Sequence, residues 1–145
     1  MDLKGFIIQS RKNTYAGDAG LVSPPLIENS KQLEYKEGDH LYRDVYFPGK
    51  KNFIGMEVVY RKNKPIWAMN YFGHTEDPKV FNFLKEALFK RAEICRFGGG
   101  TKFDRDPYSY IDIGQGSLSR FSGEERIFID GDPVYTLRYQ GGKIA

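Results

Sequence analysis

Slid against itself by 68 positions, the chain aligns residues 35–73 with residues 103–141 without a gap. No other feature narrows the possible folds as far, because self-similarity of this kind marks a repeated structural unit. Identical residues stand at Tyr42/Tyr110, Asp44/Asp112, Phe53/Phe121, Gly55/Gly123, Glu57/Glu125, Pro65/Pro133, Tyr71/Tyr139 and Gly73/Gly141. Residues of like type fill the positions between them, among them Val59/Ile127, Trp67/Tyr135 and Met69/Leu137. The shared pattern is F-x-G-x-E-x-[VI]-[YF]-x4-P-[IV]-[WY]-x-[ML]-x-Y-x-G.

Each copy reads as three strands, over 40–47, 53–61 and 65–73 in the first and 107–114, 121–129 and 133–140 in the second. These stretches are dense in Val, Ile, Tyr, Phe and Trp, which favour strands. Lys62-Asn63 and Asp130-Gly131 occupy the matching turns, and Asp-Gly suits a two-residue type I′ hairpin. The proline after each turn has no N–H, so the ladder starts beyond it or leaves that position unpaired. A helix is expected before each copy. The first is a short one over 2–13; the second covers 78–95, with Asp77 as cap, Pro78 in the first turn and Gly98-Gly99-Gly100 ending it. The stretch 17–33 has no clear period and reads as a long loop.

The expected fold class is therefore α+β. Residues 1–145 form a single domain with an internal duplication: two copies of a helix-plus-three-strand unit, related by a pseudo-twofold, with antiparallel sheet or sheets and helices on one side. With a two-residue turn, Ile127 lies opposite Val134 and Glu125 opposite Thr136, so Val59 faces Ile66 and Glu57 faces Ala68. That register gives one face to Tyr60, Trp67, Met69, Tyr71, Phe128, Tyr135, Leu137 and Tyr139. Glu57 and Glu125 share the other face with Asn70 and Arg138.

The aromatic face reads as core, or as the wall of a pocket formed by Trp67, Tyr71, Tyr135 and Tyr139 between the copies. A carboxylate among apolar residues costs free energy unless it is paired or solvated. Glu57 and Glu125 therefore need backbone N–H groups, a cation such as Arg138, or a ligand. Asp44 and Asp112, each two residues after Tyr42 and Tyr110, pose the same question. His74 follows Tyr71-Phe72-Gly73 at a strand end. These residues make up the ligand-binding candidates, and none is assigned a catalytic role.

Other chemistry is mostly excluded. His40 and His74 lack metal-ligand spacing, so no metal is expected, and nothing calls for a cofactor. Cys95 is the only cysteine, so no internal disulfide forms. It lies near Arg91 and Arg96 but on the apolar side of its helix, which reads as an inert buried thiol. The glycines of Arg96-Phe97-Gly98-Gly99-Gly100-Thr101-Lys102 follow a helix, whereas a phosphate-binding loop precedes one. The net charge of +3 is spread along the chain, which argues against a nucleic-acid partner. No segment approaches the ~20 apolar residues of a membrane span, and the start lacks the apolar run of a secretory signal. A cytoplasmic location is expected.

The runs LEYKEGDHLYRDVYF, FIGMEVVYRKNKPIWAMNYFG and FSGEERIFIDGDPVYTLRYQGG together resemble a bacterial family of domains of unknown function. Its members occur alone or behind a cro-repressor-like (Xre-type) helix-turn-helix domain. The resemblance runs from about Asn13 to Gly142 and is most distinctive from Glu57 to Gly73. It implies a sensor or effector-binding role, and because the family has no established activity no catalytic residues carry over from it. A chain with no room for a DNA-binding module before residue 13 weakens the sensor implication. A small-molecule-binding or sensor module, with its aromatic-lined site between the copies, is thus the first expectation. A protein-interaction or immunity-type module and a small acid/base enzyme using the repeated carboxylates are the alternatives.

Overall fold

The computed structural model describes residues 2–145; Met1, the first residue of the expected domain, lies outside them. The elements are α1 (Leu3–Lys12), β1 (Leu21–Val22), β2 (Lys31–Glu37), β3 (His40–Pro48), β4 (Asn52–Arg61), β5 (Lys64–Thr75), α2 (Val80–Lys90), β6 (Thr101–Arg105), β7 (Tyr108–Ser117), β8 (Arg120–Ile129) and β9 (Asp132–Lys143). The strands form one antiparallel sheet in the order β1-β2-β3-β4-β5-β9-β8-β7-β6.

This corrects the expected α+β fold of helix-plus-three-strand units. Strands take 53% of the residues and helices 15%, and the sheet runs unbroken across its centre through the β5–β9 pair. The first half carries β2 and the short β1 beyond the expected strands, and the second carries β6. These strands, KQLEYKE and TKFDR, are rich in charge, as strands near a sheet edge commonly are. Their weak apolar signal hides them in the sequence. The long loop expected over 17–33 is interrupted by β1 and gives way to β2 at Lys31.

Local chemistry explains the hairpins. Lys62, Asn63, Asp130 and Gly131 all have positive φ, as a type I′ turn requires at both central positions. Arg61 pairs with Lys64, and Ile129 with Asp132, so both turns have two residues. One step further the register slips, between Val59 and Tyr60 and again between Ile127 and Phe128. Pro65 and Pro133 pair with Tyr60 and Phe128 but have no N–H to give, so the ladder resumes only after a bulged residue.

The bulge overturns the expected faces. Glu57 pairs with Met69 and Val59 with Trp67; Glu125 pairs with Leu137 and Ile127 with Tyr135. A one-residue slip moves a side chain to the opposite face, so both glutamates lie on the aromatic face and away from Arg138.

The helices cover that face. Phe6 and Ile7 of α1 and Phe83, Leu84 and Ala87 of α2 pack with Tyr42, Val59, Trp67, Tyr110, Ile127 and Leu137 in the core. α1 is capped by Asp2, whose carboxylate accepts from the Gly5 N–H at 2.7 Å. α2 begins two residues after Pro78 and ends at Lys90, well short of the expected 95. Residues 91–98 are turns, and Arg96 adopts φ +59°. That break presents the backbone of Cys95 and Arg96, and the Arg96 side chain, to the sheet. Among the described residues no helix is long and apolar enough to cross a membrane.

Candidate functional site

In the β3–β4 ladder Asp44 stands opposite Glu57, and in the β7–β8 ladder Asp112 stands opposite Glu125. All four are buried. Two acids side by side in an apolar layer cannot both carry an unpaired charge, and the cations that relieve them come from the helical layer.

Arg11, at the end of α1, grips Glu57 through Nε (3.1 Å to Oε2) and Nη2 (2.8 Å to Oε1), while Tyr42 Oη donates to the same carboxylate. Arg11 Nη1 donates to the Cys95 carbonyl at 2.9 Å. Arg96 grips Glu125 in the same two-pronged way, at 2.8 and 2.9 Å, and Tyr110 and Tyr135 donate at 2.5 and 3.0 Å. Burial works against the charge on Glu57, but Arg11 beside it holds the pKa below the usual carboxylate range.

The aspartates differ from each other. Asp112 accepts from Tyr139 Oη and from the Arg96 N–H, both at 2.7 Å, one bond on each oxygen. Asp44 accepts from Tyr71 Oη at 2.7 Å on Oδ1 alone. Among the described residues Oδ2 has no protein donor, and neither does Arg96 Nη1 have an acceptor. Among the described residues no fully buried side-chain N or O lacks a partner, so both atoms reach open space. Burial, then the nearby Glu57 charge, pushes Asp44 up to about 7.

The open space around Asp44 and Arg96 is a cavity of about 230 Å³ between the helical layer and the sheet and a small void beside it, and the two residues line both. Asp44 and Arg96 stand in its wall with Tyr46, Phe53 and Tyr71 from the sheet, and Tyr15, Phe81, Leu84 and Lys85 from the helical side. Lys85 lies over the Tyr15 ring, 5.1 Å from its centroid, and pairs with Asp18. A void of about 20 Å³ adjoins it between Arg11, Glu57, Asp44 and Arg96, room for roughly one water molecule.

The expected candidates therefore separate. Tyr71 and Asp44 line the cavity. Glu57, Tyr42, Glu125, Tyr110, Tyr135, Asp112 and Tyr139 belong to saturated buried networks. Trp67 is fully buried, stacked on Phe121 at 5.8 Å with its indole N–H on the Leu118 carbonyl, and does not line this cavity. His74 is half-exposed and contacts Asn52 and Glu76. Cys95 is buried in the core, and burial pushes its thiol up to about 12. Sequence reasoning passed over Arg11 and Arg96 as partners. A usable signal existed for Arg11, which lies four residues after the buried Ile7 and so on the same helix face. Among the described residues no cluster of His, Cys, Asp and Glu could hold a metal ion.

The opposite face of the sheet is uncovered. It forms a trough of about 1320 Å³. Val45, Phe47, Ile54, Met56, Val58 and Phe72 line its first half; Ser122, Glu124, Arg126, Arg138 and Gln140 line the second. Several of the apolar residues are strongly exposed, Ile54 and Phe72 at 51% each.

No curated protein and no solved structure matches the chain. One family model does, over residues 44–144, from Asp44 through Arg96 to the end of β9, leaving α1 and Arg11 outside the match. By that match the chain belongs to the family described as Domain of unknown function (DUF5680).

Proposed function

We propose that this protein binds a small molecule in the cavity at Asp44. One observation carries the reading: a buried carboxylate and a buried guanidinium, 4% and 7% exposed, each with an atom left unpartnered at the same aromatic-walled cavity. Ligand sites combine apolar walls with a few converging polar atoms. The resemblance to domains found behind helix-turn-helix modules supports reading the bound molecule as a signal in a bacterial cytoplasm. Trp67, Tyr135 and the paired carboxylates then build the walls' support and do not touch the ligand.

The test is a thermal-shift screen of the full chain against small metabolites. A ligand at 100 times its Kd stabilises the folded state by about 2.7 kcal/mol. The shift is expected to vanish in Asp44→Asn and to persist in Met56→Lys, on the opposite face. A folded protein with no shift from any compound contradicts the reading.

The open trough favours a second reading, an interaction module whose partner supplies an amphipathic helix. The trough spans six strands, about 24 Å at ~4.8 Å per strand gap, which a helix of about 16 residues crosses. Its apolar half accepts an apolar stripe; Arg126 and Arg138, which share Glu124, complement acidic residues at the helix end. The test is a synthetic 16-residue amphipathic peptide with acidic residues at one end. It is expected to bind with micromolar affinity and to lose binding in Phe72→Lys. Sedimentation as a dimer that Phe72→Lys dissolves, with no peptide bound, assigns the face to a second copy instead.

A further inference from the structure

The cavity also constrains the chemistry of its occupant. We infer that it recognises the lactam edge of a small heteroaromatic ring, a carbonyl beside a ring N–H as in uracil, hypoxanthine or xanthine, with Arg96 Nη1 donating to the carbonyl oxygen and Asp44 Oδ2 accepting from the N–H. This rests on the reading of the cavity as a ligand site.

A plain cation would meet Asp44 but also Arg96 and Lys85, and a plain anion would meet Arg96 but also Asp44. One acceptor residue, Asp44, and one donor residue, Arg96, stand in the wall of the same cavity without forming an ion pair with each other. They complement a neutral ligand that carries a donor and an acceptor on one edge. At about 230 Å³ the cavity falls below the roughly 300 Å³ at which drug-sized pockets begin, which suits one or two fused rings. Its walls favour a flat π-system: Phe53 packs against Tyr71 at 6.2 Å and against Phe81 at 5.9 Å between ring centroids, and aromatic contacts favour such partners.

Both polar groups are held rigid. Tyr71 fixes the other oxygen of Asp44, and Glu125 fixes the other two nitrogens of Arg96. Asp112, the counterpart of Asp44 in the second copy, is not free in this respect, since the Arg96 N–H closes its second oxygen. Because Asp44 acts here as a carboxylate, and burial raises its pKa to about 7, affinity rises with pH through that value.

Isothermal titration of the full chain at pH 8 with uracil and hypoxanthine, both mostly neutral there, tests the assignment, with 1,3-dimethyluracil and alanine as comparison ligands. At least one lactam is expected to bind. Ring N-methylation and Asp44→Asn are each expected to weaken it at least tenfold, as leaving a buried polar group unpaired does. Met56→Lys changes the affinity less than twofold, and lowering the pH to 6 weakens it. Equal affinity for 1,3-dimethyluracil, or for Asp44→Asn, overturns the lactam assignment. Binding of alanine in place of the heterocycles overturns it too but leaves the cavity as a ligand site. No stabilisation by any small molecule sinks both.

Discussion

Arg11 and Arg138 illustrate how location decides the worth of a charge. Arg11 is buried against Glu57 and also ties α1 to the turn after α2. Arg138 is 85% exposed and stands 3.5 Å from Glu124. Breaking a buried pair by removing one partner costs about 3–5 kcal/mol, because the remaining charge stays buried alone. Exposed pairs contribute about 0–1 kcal/mol. Urea unfolding of Arg11→Ala is expected to show the larger loss, and Arg138→Ala a change near the margin of measurement. Comparable losses for the two would contradict the role assigned to the buried pair.

The aspartates give the molecule a pH dependence whose sign can be worked out. Burial raises the pKa of both Asp44 and Asp112 in the folded state, so between about pH 4 and pH 7 the folded chain binds protons that the unfolded chain has released. Stability then falls as pH rises through that window. Glu57, lowered by Arg11, acts in the opposite sense, but its contribution is lost only as pH falls below the ordinary carboxylate range. Thermal unfolding from pH 5 to pH 7.5 is expected to show a declining Tm in the wild type. The decline should be shallower in Asp44→Asn, with Asp112 supplying what remains. An unchanged slope in Asp44→Asn would show that Asp44 is already ionised at pH 5.

The hairpins show what was legible in the sequence and what was not. The turns at Lys62-Asn63 and Asp130-Gly131 were legible from their chemistry, and the strand cores from their β-branched and aromatic residues. The faces were not, because the bulge after Pro65 and Pro133 moves everything beyond it by one residue. The missing N–H was visible in the sequence; where the ladder would resume was settled by packing. That single slip put Glu57 beneath the helices, where Arg11 replaced Arg138 as its partner. α2 also ended earlier than expected, at Lys90, and past it the Arg96 N–H and the Cys95 carbonyl bond to Asp112 and Arg11.

Gly123 belongs to the same architecture. A Cβ placed there would lie 2.2 Å from Tyr139 Oη on the neighbouring strand, so the glycine leaves the space in which that hydroxyl reaches Asp112. Overpacking of this kind typically costs about 1–3 kcal/mol. Gly123→Ala is expected to fall in that range by denaturant unfolding, and Gly131→Ala, whose Cβ meets nothing within 4 Å, to suffer from its positive φ alone. If Gly123→Ala proves neutral, Tyr139 is free to move and its bond to Asp112 does not hold the strands in place.

Taken whole, the molecule is a single sheet with two unlike faces. The helical side encloses the buried carboxylates and the cavity at Asp44; the other side is an open trough, apolar over one half and charged over the other. Of the residues expected at a site between the two copies, Tyr71 and Asp44 line this cavity. Trp67 and Tyr135 do not line it, packed instead in the core at the sheet centre. The most direct measurement is an NMR titration of methyl- and amide-labelled protein with a library of small fragments. Binding fragments are expected to perturb residues around the cavity, Leu84, Phe53 and Arg96 among them, and to leave the methyl groups of Ile54, Met56 and Ile113 unmoved. Perturbations confined to those three methyl groups would contradict this and place the ligand site in the trough.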